Sequence, residues 1–379
     1  MRFLRPLPIA WSMLIDKPSR LVLSVLAVAF SVVIMFMELG FFNGCNNSSA
    51  NLPPHFDCDL ILSHIEKNHL KTGEEFPLDW VFLARDVEGV AASVALYSGA
   101  DYWWNPQDSS RNRVFALGVD LEDPMFETDV IKAHRKALLE PGSVLYDRLS
   151  RKELGRVETS TVSTLGRISA KVVGLFELGP NFTYEGHLLM SADTFLLMQD
   201  QSRNVVDLGL IRVKPGADLK EVRKRLLAKL PPIALLLTPD EINAREINVT
   251  TRRSPAGVVF GIGLLVGFSI GIIICYQILF NEVNDHLPQF ATLKAMGHPP
   301  RFISGIVLYE ALLMALAGFV PGLVAGAGLY KLIEEFTQIR MFLTPERVLL
   351  IFALTSSMCL IAGHLALKKV HSTDPADLF

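Results

Sequence analysis

Cysteine is scarce in this sequence. Four in 379 residues cannot scaffold a chain of this length with disulfides. Cys275 and Cys359 fall in apolar runs, where a thiol packs as a small hydrophobe. Cys45 and Cys58 fall in a more polar region, and a disulfide between them stays open because spacing alone does not fix geometry. Chemistry-bearing motifs are missing as well. There is no G-x-x-x-x-G-K-[ST], so the chain does not cradle nucleotide phosphates by itself. There is no H-E-x-x-H and no paired C-x-x-C, which argues against zinc, and no G-x-S-x-G nucleophile elbow. His55, His64, His69, His134 and His187 are scattered and read as surface or hydrogen-bonded side chains. No cofactor, no metal and no catalytic residue is expected. The net charge is only −3 and no basic block occurs, so nothing suggests nucleic acid as a partner. "NNSS", "NFT" and "NVT" match a glycosylation pattern too short to carry weight.

Charge is absent altogether from residues 256–280. Residues 21–42 carry only Glu38, residues 302–330 only Glu310, and residues 348–367 only His364. About 20 apolar residues suffice to cross the hydrocarbon core, so the sequence predicts four transmembrane helices at these positions. An even number places both ends on one side. Arg2, Arg5, Lys17, Arg20, Lys294, Arg301, Lys368 and Lys369 fall on that side, against Lys331, Arg340 and Arg347 on the other. The excess predicts cytosolic termini, with Arg252 and Arg253 opposing it only weakly from a long loop. The first run is too long for the apolar core of a signal peptide and is read as an anchor. Residues 1–20 ahead of it include a short proline-initiated helix, with Trp11, Leu14 and Ile15 near one face, suited to the inner membrane interface.

Residues 43–255 form a large insert. "DLILSHI", "LDWVFLARD" and "VAASVALYSG" read as strand, helix and strand, and the same order returns in "VDLGLIRV", "KPGADLKEVRKRLLAKLP" and "IALLLT". In the later helix Val222, Leu226, Leu227 and Leu230 make the apolar stripe. Two β-α-β units predict a split ferredoxin-like part, with a smaller β-rich subdomain at about 105–201 inserted between them. The fold class expected is therefore an α-helical membrane protein with four spans and a large α+β periplasmic insert.

Within the spans, Gly257 and Gly261 are followed by Gly263, Gly267 and Gly271, and the third span carries Gly318, Gly322 and Gly326. Spacing of four puts each set on one helical edge, where two helices can approach closely. Pro321 should kink its helix. Glu310 is a candidate intramembrane polar site, although a helix–helix hydrogen bond is the simpler reading and no second acid or base pairs with it in sequence.

Residues 281–301 leave the membrane and return. Asn281 to Met296 is broken only by Pro288, and Gly297 stops the helix before Pro299 and Pro300. Phe290, Leu293 and Met296 fall at helical spacing with His286, Gln289 and Lys294 beside them, which suits docking into a groove on another protein or resting on lipid.

"FATLKAMG" in that loop, after a glycine-rich second span, resembles the permeases of the MacB/FtsX-like ABC transporter superfamily, and the DevC family of exporter permeases most closely. "AWSMLIDKPSRL", "FMELGFFN", "WWNPQDSSRNRVFALGVD", "VLYDRLSRKELG", "GFVPG" and the final "DPADLF" continue the likeness in order along most of the chain. The resemblance implies a homodimer in the bacterial inner membrane, with a separate cytosolic ABC ATPase bound to each copy. It implies that the coupling helix is Glu282 to His298, with Glu282, His286, Gln289, Phe290, Leu293, Lys294, Met296, Gly297 and His298 at the contact. It implies a periplasmic adaptor and, through it, an outer-membrane channel, with lipid or glycolipid export as the associated task. Residues 331–347 would be a short periplasmic loop and residues 368–379 a cytosolic tail. An FtsX-like regulator of a cell-wall hydrolase, a lipoprotein-extracting permease, and a membrane-anchored sensor or enzyme are the competing expectations.

Overall fold

The computed structural model describes residues 6–371 apart from residues 50, 68, 72–73, 181–182, 253–254 and 338–340. Arg2, Arg5, Arg253, Arg340, the first two residues of "NFT" and the terminal "DPADLF" lie outside the described residues. In chain order come α1 (Leu7–Asp16), α2 (Pro18–Ser49), β1 (Leu60–His64), β2 (Phe76–Pro77), α3 (Asp79–Arg85), β3 (Val90–Trp104) and β4 (Arg111–Val119). Next are α4 (Thr128–Leu138), β5 (Ser143–Asp147), β6 (Val162–Leu165), β7 (Ile168–Phe176), β8 (Gly186–Ser191) and α5 (Ala192–Gln199). Then follow β9 (Val205–Val206), β10 (Leu208–Val213), α6 (Leu219–Lys229), β11 (Ala234–Leu237) and α7 (Pro239–Arg252). The chain closes with α8 (Pro255–Asp285), α9 (Leu287–Ala295), α10 (Pro300–Thr337) and α11 (Pro345–His371). Two compact units result: Met1–Asn43, Gly257–Glu334 and Met341–Phe379 form one, Gly44–Ala256 and Glu335–Arg340 the other.

The helical unit holds four helices long and apolar enough to cross a membrane, within Pro18–Asn46, Gly257–Asp285, Pro300–Thr337 and Pro345–Lys368. Each outruns the apolar stretch that marks it. The short loop expected at 331–347 is the largest difference: α10 carries on through residues 331–337, because "KLIEEFT" contains good helix formers and no breaker. The α10 helix also runs unbroken through Pro321. Glycines set the helix contacts. A Cβ on Gly322 would come within 2.7 Å of Val32, and one on Gly326 within 3.3 Å of Phe36, while Gly318 faces Val28. These three place α10 directly on α2. On α8, Gly263 lies against the Glu38 carboxylate, Gly267 against Ile34, and Gly271 against Met358 and Ser31. Gly261 meets nothing within 4 Å among the described residues. The Tyr330 hydroxyl donates to the Phe36 carbonyl, tying α10 to α2 once more. Cys275 and Cys359 are free thiols with sulfurs 3.7 Å apart in this core.

The α+β unit is built on a nine-stranded sheet of order β11-β1-β10-β3-β4-β8-β5-β7-β6. In its first four strands each neighbouring pair is antiparallel, with α3 and α6 as crossovers, which is the split ferredoxin-like arrangement. The β-rich part is not a separate sheet. Strand β3 is 15 residues long; its first half pairs with β10 and its second half with β4, so one sheet runs through both parts. Alternation sorts the core into two layers: Leu60 and Leu62 face one with Trp80, Val222 and Leu226, whereas Ile61 faces the other with Phe115, Ile131 and Leu210. Leu226 is fully buried but Leu227, assigned to the same stripe in sequence, is 47% exposed. Cys45 and Cys58 are free.

Candidate functional site

The elbow between α8 and α10 is built by proline and glycine. Pro288 sits in the first turn of α9, where its missing N–H costs no helical bond; within α8 it would. The chain therefore breaks at His286, and the coupling segment from 282 to 298 is not one helix. Glu282 and Asp285 close α8, and α9 covers only Leu287–Ala295. His286 Nδ1 and Gln289 Oε1 are hydrogen-bonded at 2.8 Å across the break. At the other end the Gly297 N–H donates to Lys294 O at 3.0 Å and the His298 N–H to Leu293 O at 3.1 Å. That pair of bonds needs a left-handed residue between them, and Gly297 supplies it with φ of 89°. His298 then stacks on Phe302 at the start of α10, centroids 4.4 Å apart.

Helix α9 does not stand free. Phe290 is buried against Ala10, Met13, Val283 and Ile306, so it anchors the helix rather than offering a contact. The buried face of α1 is Ala10, Met13 and Leu14, while Trp11 and Ile15 point outward, half exposed. Lys17 Nζ reaches Asp285 Oδ2 at 2.9 Å, and Arg20 pairs with the same carboxylate. Exposed pairs of this kind add little to stability, and both meet at the last residue of α8.

Between α1 and α9 lies an open groove of about 460 Å³. One wall is Pro8, Ile9, Ser12 and Met13; the other is Gln289, Thr292, Leu293 and Met296. Met296 is 64% exposed at its rim. Gln289, Leu293 and Met296 are thus brought together, Lys294 lies exposed beside them, and Glu282 and His286 sit behind, at the α8 end. Sequence reasoning missed the wall on α1. The periodic Ile9 and Met13 were a signal, but nothing local says that they meet α9. The groove presents methyl, thioether and methylene surface with three polar side chains, Ser12, Gln289 and Thr292, a chemistry for burying a partner's apolar side chains and not for bond-making.

Glu310 is buried within α10, and its carboxyl neighbours that of Glu282. Its Oε1 has no hydrogen-bond partner among the described residues. The described residues contain no group of three or more metal-ligating side chains.

Residues 259–375 match the family model described as FtsX-like permease C-terminal. No curated protein matches the sequence. Among solved structures, the periplasmic region of MacB from Actinobacillus actinomycetemcomitans is 7% identical with a TM-score of 0.37, covering 51% of this chain and 93% of that one. The extracellular domain of the noncanonic ABC-type transporter YknZ from Gram-positive bacteria is 11% identical with a TM-score of 0.35, covering 48% of this chain and 99% of that one.

Proposed function

We infer that this chain, an ABC-type permease of the MacB/FtsX-like kind, is the membrane subunit of a DevC-like tripartite exporter. The match of residues 259–375 to the FtsX-like permease C-terminal model supports this reading, in which the chain works with a separate ATPase. The groove between α1 and α9 is the observation that carries the reading. It is apolar, open, and placed at the loop between the second and third long helices, where a coupling contact is expected. An ATPase side chain seated there would be gripped by Leu293 and Met296 on one side and Ile9 and Met13 on the other. The net excess of Lys and Arg supports cytosolic placement of that loop and of both termini, with the chain in the bacterial inner membrane. In this reading ATP-driven motion of two ATPases, one on each copy of a homodimer, passes through the spans to the domain at 43–255. That domain meets a periplasmic adaptor and, through it, an outer-membrane channel. Lipid or glycolipid is the cargo class the resemblance favours.

The test is the double variant Leu293→Asp, Met296→Asp in the full chain, reconstituted in lipid with its ATPase. Two carboxylates in the groove should abolish stimulated ATP hydrolysis while insertion and yield stay unchanged. A complex that assembles and hydrolyses ATP at the wild-type rate with both aspartates in place refutes the assignment. Capture of a cell-wall hydrolase, in place of an adaptor, by the full-length chain would replace export with regulation.

A further inference from the structure

The α+β unit contains a closed ring of part-buried polar contacts that the elbow does not use. Asn51 stands two residues after α2, and Glu246 stands on α7, the last helix before α8. The segment after β1 touches both. Lys67 Nζ donates to Asp207 Oδ1 at 3.2 Å, both side chains buried. The Leu70 N–H donates to Glu246 Oε1 at 2.7 Å, and His69 Nδ1 lies 3.3 Å from Oε2. Lys71 Nζ donates to Asn51 Oδ1 at 2.9 Å and to His187 Nε2 at 3.2 Å, with the Phe115 ring centroid 5.6 Å away. His187 Nδ1 faces Asp147 Oδ2 at 3.5 Å, and a carboxylate can only accept, so the imidazole proton sits on Nδ1 and Nε2 is left to accept from Lys71. Asp147 accepts from the Gly179 N–H at 2.8 Å, and Asn51 Nδ2 donates to the Gly179 carbonyl at 3.1 Å, which closes the ring.

We propose that Lys67, His69, Leu70 and Lys71 form a strap fastening the segment that follows α2 to the helix that precedes α8, and that Lys71 is the positioning residue whose charge opens it. Both hydrogen-bond partners of Lys71 are neutral. The charged and titratable groups that face it are Asp147 at the end of β5, His187 on β8, Glu246 on α7 and His69 on the strap itself. Burial pulls the Lys71 ammonium down to about 7, against the opposing fields of Glu246 and Asp147. Burial and Lys71 hold His187 at about 4, so the imidazole stays neutral around pH 7. A closed strap favours the neutral amine; an open one returns the amine to water and to the ordinary 10.5. The sign follows. Closure is strongest above 10.5, weakens as pH falls from 10.5 to about 7, and is level below that. The strap rests on the permease reading only in that ATP-driven motion would cross the two connections it joins.

Hydrogen exchange on the full-length chain in lipid nanodiscs, without ATPase, tests the strap separately from that reading. After correction for intrinsic chemical rates, exchange at Leu70, whose N–H is held by Glu246, should accelerate roughly fiftyfold from pH 9 to pH 7 and only about twofold more to pH 5. Lys71→Met should abolish this dependence, and Lys71→Arg should exchange fast at every pH. Corrected wild-type rates equal at pH 9 and pH 7 would overturn the proposal, as would a Lys71→Met profile matching wild type. Should Lys71→Met fail to fold, the wild-type and Lys71→Arg profiles decide it.

Discussion

Alanine at Gly322 measures how closely the membrane helices depend on contact without side chains. The new Cβ would stand 2.7 Å from Val32 and 3.0 Å from the Ala29 carbonyl oxygen. Carbon atoms pack at about 3.5–4.0 Å, so α10 must withdraw from α2 by about 1 Å. That withdrawal also loosens Gly318 over Val28 and Gly326 over Phe36. Overpacking of this kind costs about 1–3 kcal/mol, and alanine's better helix propensity returns up to about 1 kcal/mol. The control lies on the same helix: among the described residues nothing comes within 4 Å of the Gly328 Cβ position, so Gly328→Ala gains only the propensity. The two variants should therefore differ by about 1–3 kcal/mol, with Gly322→Ala the weaker. Denaturation of the full-length chain in mixed micelles, followed by circular dichroism against rising SDS, gives the comparison. If Gly322→Ala proves as stable as Gly328→Ala, close approach along that edge does not hold the bundle.

Two further outcomes are expected in the α+β unit. Leu226→Ala should destabilise it by about 2–4 kcal/mol, since the side chain is fully buried, whereas Leu227→Ala at 47% exposure should stay within about 0.5 kcal/mol; comparable losses in thermal melts would contradict the packing. His187 binds its proton less readily folded, about 4 against an ordinary 6.5, so the unfolded chain takes up more protons between those values. Stability should rise with pH across that window by about 3 kcal/mol from this group and be lost on acidification. His187→Gln should flatten the slope in urea titrations from pH 6.5 to 4, and an unchanged slope would show that the imidazole is not buried in neutral form.

Much of the fold was legible because its signals are local. The apolar runs mark all four long helices, and the repeated strand–helix–strand order marks the ferredoxin-like strands β1, β3, β10 and β11 with their crossovers. What was not legible depends on partners distant in sequence. No composition change at residue 105 says that β3 continues in one sheet from β10 to β4. Leu227 obeys the helical period as well as Leu226, and only the position of the sheet decides which is covered. The α7 helix went unread because "PDEINAREINVTTR" is polar on most of its surface; its hold on the strap comes from the single carboxylate of Glu246.

The same division explains the sites. Pro288, Gly297 and the Pro299–Pro300 pair announce the elbow, since each acts through its own backbone. The groove was half visible, because one wall lies on a helix some 280 residues earlier and only the fold brings Ile9 and Met13 opposite Leu293 and Met296. Glu310 had no partner within a helical turn, yet the return of the chain at the elbow sets Glu282 beside it. The scattered histidines show the limit most plainly. His187 and His69 lie 118 residues apart and share no motif, yet His69 sits on the strap beside Glu246 and His187 meets the strap at Lys71, because strand β8 and the segment after β1 come together there. A ring of single polar residues, each from a different element, leaves no period or spacing to read, so such a device can be recognised only once the sheet has set its members side by side.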